Sequence, residues 1–491
     1  MRHAFLLLFA VTLGAAAAGP RPARSASPWE RTVVTLEVTR KQYDYVQPWS
    51  KRMETVQKTG IVVGAREVLT TADFMADSTL IRLQKGGRGR WFNGAVEWVD
   101  YHANLALVNT AEAAFWTGLQ PARLADPIPA KGSVQLLRWR NGSFETRKAE
   151  INRLSVKRGK LTFVEHLQLE VDLEITGAGW SEPIVSGNKV IGLTTWMEGN
   201  SCTALPTPFI RPILEARRSQ TYRGLGFFSF TWQRAENPAT LKYLGLAGEP
   251  RGVLVIDTCS LPQMDGQLKP RDVILQVEGC DVDIEGDYQN PTYGKLSLED
   301  LASRGRWAGD QVRLRILRRG QIQDVLYRLP KADYSIDLVP EGPFDQEPAY
   351  LIAGGLVFQP LNEPYMRSWG ADWKRKAPFR LAYHDQQKPT PERPALVVLS
   401  TVLPDPFNLG YQDYRYMVIQ QFNGQKISRL TDFVEAMKKP ADGFHVLEFG
   451  PSDVVRRIVL GASETDSATQ RVLARYGIEK DRVFAEPSPA K

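Results

Sequence analysis

From Arg31 to about Arg217, short apolar runs rich in β-branched residues alternate with turn residues. Thr32–Val38, Thr59–Val63, Val68–Thr71, Thr79–Leu83, Ala95–Val99 and Leu105–Val108 form a first group, and Val134–Leu137, Leu167–Ile175 and Val190–Thr195 a second. Many short strands with no long segment of period 3.6 predict an all-β barrel or sandwich. Pro208–Arg217 then predicts one closing helix, with proline at its start and basic residues at its end.

The pattern changes after Arg223. A Gly–aromatic turn, Gly224-Leu225-Gly226-Phe227-Phe228, leads to a helix over Pro238–Tyr243, strands at Gly252–Asp257 and Val273–Val277, a helix over Ser297–Arg304, and strands at Val312–Leu317 and Asp324–Leu329. A similar order returns from Asp333 to Leu460. It has Gly354-Gly355-Leu356-Val357-Phe358, strands at Ala395–Leu403 and Met417–Phe422, a helix over Arg429–Met437, and strands at Val446–Phe449 and Val454–Leu460. Two successive units with one layout suggest tandem modules. Asp372–Arg393, with Lys374, Arg375, Lys376 and Lys388, reads as an insertion or mobile loop. The last segment carries one helical stretch, Ala468–Tyr476, and a Pro-rich end.

Composition and length add limits. The 491 residues suggest about three domains of ~150 residues each. Hydrophobic residues at 43% and charged residues at 24% exclude wholesale disorder and a collagen-like chain. Net charge is +7, of which the first 26 residues supply +3. The remaining charge is too thinly spread to argue for nucleic acid, and Arg313, Arg315, Arg318 and Arg319 read as a solvated strand and turn. The N-terminus has Arg2 and His3, an apolar run Ala4–Ala18, and small residues ending at Gly19-Pro20. This is the pattern of a secretory signal peptide over residues 1–26, cleaved after Ala18 or Ala26, so a secreted or periplasmic chain with no stable membrane anchor is expected. Cys202, Cys259 and Cys280 match no zinc or redox spacing. Cys259 and Cys280 could bridge within one domain, although buried free thiols are the preferred reading, and no cofactor or metal is expected.

Several phrases, in order, resemble the Deg/HtrA family of serine proteases. Thr59-Gly60-Ile61-Val62-Val63 is similar to the family's "GSGFVI" strand, and Val68-Leu69-Thr70-Thr71-Ala72-Asp73-Phe74-Met75-Ala76-Asp77 to "ILTNAHVVAD". Asn104-Leu105-Ala106-Leu107-Val108 resembles "DLALL", Val171-Asp172 to Pro183 "IDAAINSGNSGGP", and Leu205-Pro206-Thr207-Pro208 "IPTP". The phrases Glu236-Asn237-Pro238-Ala239, Tyr350 to Leu361, Asn408-Leu409-Gly410-Tyr411 and Tyr476-Gly477-Ile478 resemble plant-type members with two PDZ modules. The resemblance spans nearly the whole chain after residue 26. It implies a mainly β fold: a trypsin-like double β-barrel over 27–219, PDZ domains over 220–332 and 333–461, and a tail over 462–491. It also implies homo-oligomers acting on unfolded or mislocalised polypeptides.

A serine protease needs a hydroxyl nucleophile, an imidazole base and an orienting carboxylate. On the family motifs these positions hold Trp180, Asp73 and Asn104 in this chain. A carboxylate is a weak base toward an alcohol, asparagine carries no charge to steady an imidazolium, and an indole is no nucleophile. Ser181 and Glu182 replace the two glycines that follow the family serine, and Glu182 is expected to set a negative charge where an oxyanion would develop. A rewired pair of Ser181 with His102 is the alternative; otherwise Ser181 is a turn residue and His102 a surface loop residue. The acids Asp73, Asp100 and Glu182 have no specific spacing and read as solvated.

PDZ modules bind extended C-termini by adding a strand to a sheet edge, with the carboxylate on a glycine-containing loop. Two registers are open for that loop here: Gly224-Leu225-Gly226-Phe227, which spells the signature, and Phe228-Ser229-Phe230, which the spacing to Glu236–Ala239 selects. Leu268-Lys269-Pro270-Arg271-Asp272-Val273-Ile274 resembles the PDZ phrase "LKPGDVI". Three functions follow: an inactive homologue holding polypeptides or C-terminal peptides, an active serine endopeptidase with a rearranged site, or a structural assembly protein.

Overall fold

The computed structural model describes residues 27–484 apart from 175, 176, 178, 259–266, 343 and 451–455. Residues 1–26, which the sequence pattern reads as a signal peptide, and Cys259 therefore lie outside the described residues, while Cys202 and Cys280 carry free thiols.

The first six strands are β1 (Val33–Tyr43), β2 (Lys51–Gly64), β3 (Glu67–Thr70), β4 (Ser78–Lys85), β5 (Phe92–Asp100) and β6 (Leu105–Asn109). They close a barrel in the order β1-β2-β3-β6-β5-β4. A second barrel contains β7 (Gly132–Arg140), β8 (Ser143–Arg158), β9 (Glu165–Leu173), β10 (Pro183–Ser186), β11 (Lys189–Glu198) and β12 (Ser201–Pro206), ordered β10-β11-β12-β9-β8-β7. Alternation on β1 sends Val34, Leu36 and Val38 into the first barrel, where they meet Val68, Ile81 and Val108. Leu136, Leu169, Val171 and Ile184 fill the second. Between the barrels lies a third layer with Ile61, Leu69, Leu107, Leu137 and Leu193, sealed by the helix Thr207–Arg218 through Phe209, Ile210 and Ile213. This is the trypsin-like double barrel.

A third sheet holds β13 (Phe230–Arg234), β14 (Val253–Thr258), β15 (Val273–Val277), the two-residue β16 (Cys280–Asp281), β19 (Gln311–Arg318) and β20 (Gln321–Arg328), ordered β13-β14-β15-β19-β20. The hairpin of β17 (Asp287–Asn290) and β18 (Gly294–Ser297) stands beside it. Gly252 opens β14 at φ 78°, and a Cβ there would lie 2.3 Å from the Ile274 carbonyl. Gly252→Ala is expected to cost about 1–3 kcal/mol, read as a lower denaturation midpoint; an unchanged midpoint would show that this strand start relaxes freely.

The last sheet contains β21 (Tyr350–Ala353), β22 (Leu356–Pro360), β23 (Val397–Val402), β24 (Met417–Phe422), β25 (Gln425–Lys426), β26 (Phe444–Phe449), β27 (Arg457–Gly461) and β28 (Arg482–Val483). Its path is β27-β26-β24-β23-β22-β21-β28. The helix Leu430–Met437 packs Phe433 onto Phe358 and Phe422. The helix Thr465–Tyr476 buries Val472 against Tyr350, Ile352 and Val357. The segment read as a tail is thus physically part of this sheet's module. The insertion over Asp372–Arg393 is likewise not loose: Trp373 and Leu381 are buried with Met366, Leu396 and Val398, because short helices at Trp373–Lys376 and Phe379–Ala382 present them to the sheet. Among the described residues no helix is long and apolar enough to cross a membrane.

Candidate functional site

Asp73, Asn104 and Trp180, the residues that the motif resemblance sets at the triad positions, meet at the seam between the barrels. Asp73 and Asn104 follow β3 and precede β6, and each is almost wholly buried. Asn104 Oδ1 accepts the Asp73 backbone N–H at 3.0 Å, and Asn104 Nδ2 donates to Asp73 Oδ2 at 2.9 Å. The amide thus clasps the neighbouring residue from both sides, as a carboxylate clasps a histidine in a working triad. Trp180 arrives from the loop before β10, its carbonyl accepting Thr59 N–H at 3.0 Å. Its indole packs edge-on against Phe74, ring centroids 4.8 Å apart.

Two lysines that sequence reasoning missed complete this cluster. Lys160, on the turn between β8 and β9, brings Nζ to 2.7 Å from Asp73 Oδ1 and 3.9 Å from the centroid of the Trp180 ring. Lys58, on β2, is buried and donates Nζ to the carbonyls of Thr71, at 2.6 Å, and Asp73. Burial pulls the Lys58 ammonium down to about 7; the Asp73 charge opposes that shift, and Lys160 and Arg40 add to it. Asp73 is therefore an ion-paired interior acid and not a solvated one.

The loop that should carry a nucleophile is bound up internally. Ser181 is fully buried, its Oγ accepts Thr71 N–H at 3.0 Å, and its own N–H goes to the Thr194 carbonyl. Its φ is 59°, in the left-handed region that favours glycine, the residue the family motif has at this position. Phe74 and Asn104, at φ 64° and 53°, also occupy the left-handed region. Glu182, 1% exposed, does not face the cleft as an open charge. It accepts from Gly179 N–H at 2.7 Å and Arg138 at 3.2 Å, and pairs with Arg147. The expectation of a repelling carboxylate is corrected by those two guanidinium groups.

His102 is not a free surface residue. Its Nδ1 bonds Thr162 Oγ1 at 2.8 Å, and its ring stacks on Tyr334 with centroids 4.1 Å apart. Burial lowers its pKa. It and Ser181 thus hold separate partners, and the rewired pair is not assembled. Asp100 accepts from Tyr222 at 2.6 Å. Among the described residues no group of three His, Cys, Asp or Glu side chains could hold a metal ion.

A second candidate is the groove along the outer edge of β13, about 400 Å³, floored by Phe227, Phe228, Phe230 and Trp232 and walled by Phe163 of the second barrel. β13 ends its sheet, so among the described residues no strand pairs with its outer edge. Gly224, Leu225 and Gly226 do not line this groove. Leu225 is buried in the inter-barrel core and Gly226 is pressed against Leu329, because this stretch joins the third sheet to the barrels. All of Phe228-Ser229-Phe230 lines it, and of the other register only Phe227 does. The Ser229 N–H is held by Tyr327 Oη at 3.1 Å, and Trp232 Nε1 donates to Glu299 at 2.7 Å.

Comparison with known proteins bears on the whole chain. Residues 339–483 match the PDZ domain family model. Arabidopsis thaliana "Protease Do-like 2, chloroplastic" is 25% identical over 465 residues, covering 92% of this chain and 74% of that protein. "Protease Do-like 4, mitochondrial" from the same plant is 22% identical, covering 80% and 74%. Among solved structures, an HtrA-type protease, AlgW, with decapeptide matches 61% of this chain and 95% of its own at 16% identity and a TM-score of 0.46. With two barrels, two further β modules and collinear similarity to Do-like proteases, the chain is similar to the Deg/HtrA family over most of its length.

Proposed function

We propose that this chain is a Deg/HtrA homologue that does not hydrolyse peptide bonds and instead holds unfolded polypeptides or C-terminal peptides through its PDZ modules, in protein quality control. The observation that carries this reading is the Lys160–Asp73 ion pair at 2.7 Å, set against Trp180 where a nucleophile would stand. A nucleophile needs a base within hydrogen-bond reach and room for the scissile carbonyl. Ser181 is buried and its oxygen is engaged by a backbone N–H. The outer edge of β13, unpaired among the described residues, with its aromatic floor supports strand addition by a peptide. Export, directed by the signal-like residues 1–26, and homo-oligomeric assembly belong to the same proposal.

Purified protein is expected to leave unfolded casein intact and to take no label from a fluorophosphonate probe, while Phe228→Asp lowers the affinity for C-terminal peptides selected from an array by roughly tenfold or more. Casein cleavage or labelling that disappears in Ser181→Ala would establish the endopeptidase reading. Peptide binding unchanged by Phe228→Asp would move the ligand site off β13.

A further inference from the structure

The Lys160 ammonium has more partners than an ion pair requires. Besides Asp73 it faces three aromatic rings: Trp180 at 3.9 Å, Trp196 at 5.4 Å and Phe74 at 5.6 Å from the ring centroids. It also donates to the Thr195 carbonyl at 3.2 Å. The negative face of an aromatic ring attracts a cation, most strongly for tryptophan and most of all when water is excluded. The set is drawn from both barrels, Asp73 and Phe74 from the first and Trp180 and Trp196 from the second. Asp73 is 2% exposed, and its charge needs a cation within reach.

The arrangement also opens outward. Trp196 is 53% exposed and the Lys160 side chain 23%. A cavity of about 290 Å³ adjoins the rings, lined by Trp180, Thr194, Trp196, Met197 and Cys202. Lys160 itself rides on the connection between β8 and β9, so its side chain is a tethered occupant and not part of a wall.

We propose that this cleft is a binding site for the alkylammonium group of a ligand, a lysine side chain or a methylated amine, and that Lys160 is its resident, displaced when the ligand enters. The ligand's ammonium takes the place between Trp180, Trp196 and Asp73, and its remaining carbons enter the adjoining cavity. Recognition is electrostatic and π-type, so a neutral molecule of the same shape is excluded. Because the resident is tethered, it competes at an effective concentration in the millimolar range, which weakens binding in the wild type relative to a chain without Lys160. The site stands independently of the PDZ reading.

Choline and its neutral isostere 3,3-dimethylbutan-1-ol are the probes. In the full-length wild type, choline is expected to raise the rate of Lys160 acetylation by an activated ester several-fold, read by mass spectrometry of the peptide, as the amine leaves the cage. The alcohol is expected to leave that rate unchanged. By calorimetry, Lys160→Ala is expected to bind choline roughly tenfold more tightly than wild type, and Trp180→Leu in that background to abolish binding. Lys160→Gln, which keeps the length of the side chain without its charge, serves if the alanine variant does not fold. No choline-dependent change in Lys160 labelling, or equal effects of choline and the alcohol, would overturn the proposal.

Discussion

Glu182→Ala is expected to destabilise the second barrel by about 3–5 kcal/mol, the usual cost of removing one partner from a buried ion pair. The carboxylate is 1% exposed, and the side chains of Arg138 and Arg147 beside it are 15% and 11% exposed. Without Glu182, Arg147 keeps its desolvation cost and loses its main counter-charge, while Arg138 is left with Glu145, at 2.7 Å, as its partner. The Gly179 N–H also loses its acceptor, which frees the loop that carries Trp180. Urea unfolding followed by tryptophan fluorescence measures the effect. Glu236→Ala, at an exposed pair with Arg234, is the internal comparison and should change stability by less than about 0.5 kcal/mol. A Glu182→Ala midpoint as close to wild type as that of Glu236→Ala would show that water reaches the pair.

Lys58→Met is expected to flatten the pH dependence of stability above neutral pH. The ammonium is buried, and its pKa falls from 10.5 to about 7 on folding. Below pH 7 both folded and unfolded chains hold the proton, and the folded chain bears the full cost of a buried charge. Between pH 7 and about 10 the unfolded chain still binds a proton that the folded chain has released, so wild-type stability rises with pH. Across that window the rise should be on the order of 3–5 kcal/mol relative to Lys58→Met. The variant leaves the carbonyls of Thr71 and Asp73 without Nζ, a cost of about 1–3 kcal/mol that is independent of pH and does not alter the slope. Parallel pH profiles for the two proteins would mean that Lys58 stays charged throughout.

The strands most legible in the sequence were those whose burial alternates or is continuous. Val273–Val277 and Met417–Phe422 match their predicted spans, as does the helix Pro238–Tyr243 with Asn237 capping it. The 16-residue β8 went unseen because its sequence, SFETRKAEINRLSVKR, is largely polar. It is held by pairing with β7 and β9, which local hydrophobicity does not report. The helix expected over Ser297–Arg304 shrinks to Asp300–Ser303, since Ser297 belongs to the hairpin strand β18. At the candidate site, motif spacing grouped Asp73, Asn104 and Trp180, which lie close together in the fold. It could not find Lys160, which closes on Asp73 from 87 positions away, on a turn that reads as solvated. Lys58 did leave a signal: on β2 it is in phase with Val56, Gly60 and Val62, the same side as the barrel interior, opposite Leu36 of β1.

The pairing of β28 with β21 has a consequence for how the polypeptide is made. Tyr350 and Leu351 find their partners at Val483 and Arg482, and the Ile352 N–H its acceptor at Asp481. Some 130 residues must be translated between the two edges. At roughly 5–20 residues per second the ribosome takes about 7–26 s over that stretch, during which the nascent sheet keeps a bare margin open to neighbouring chains.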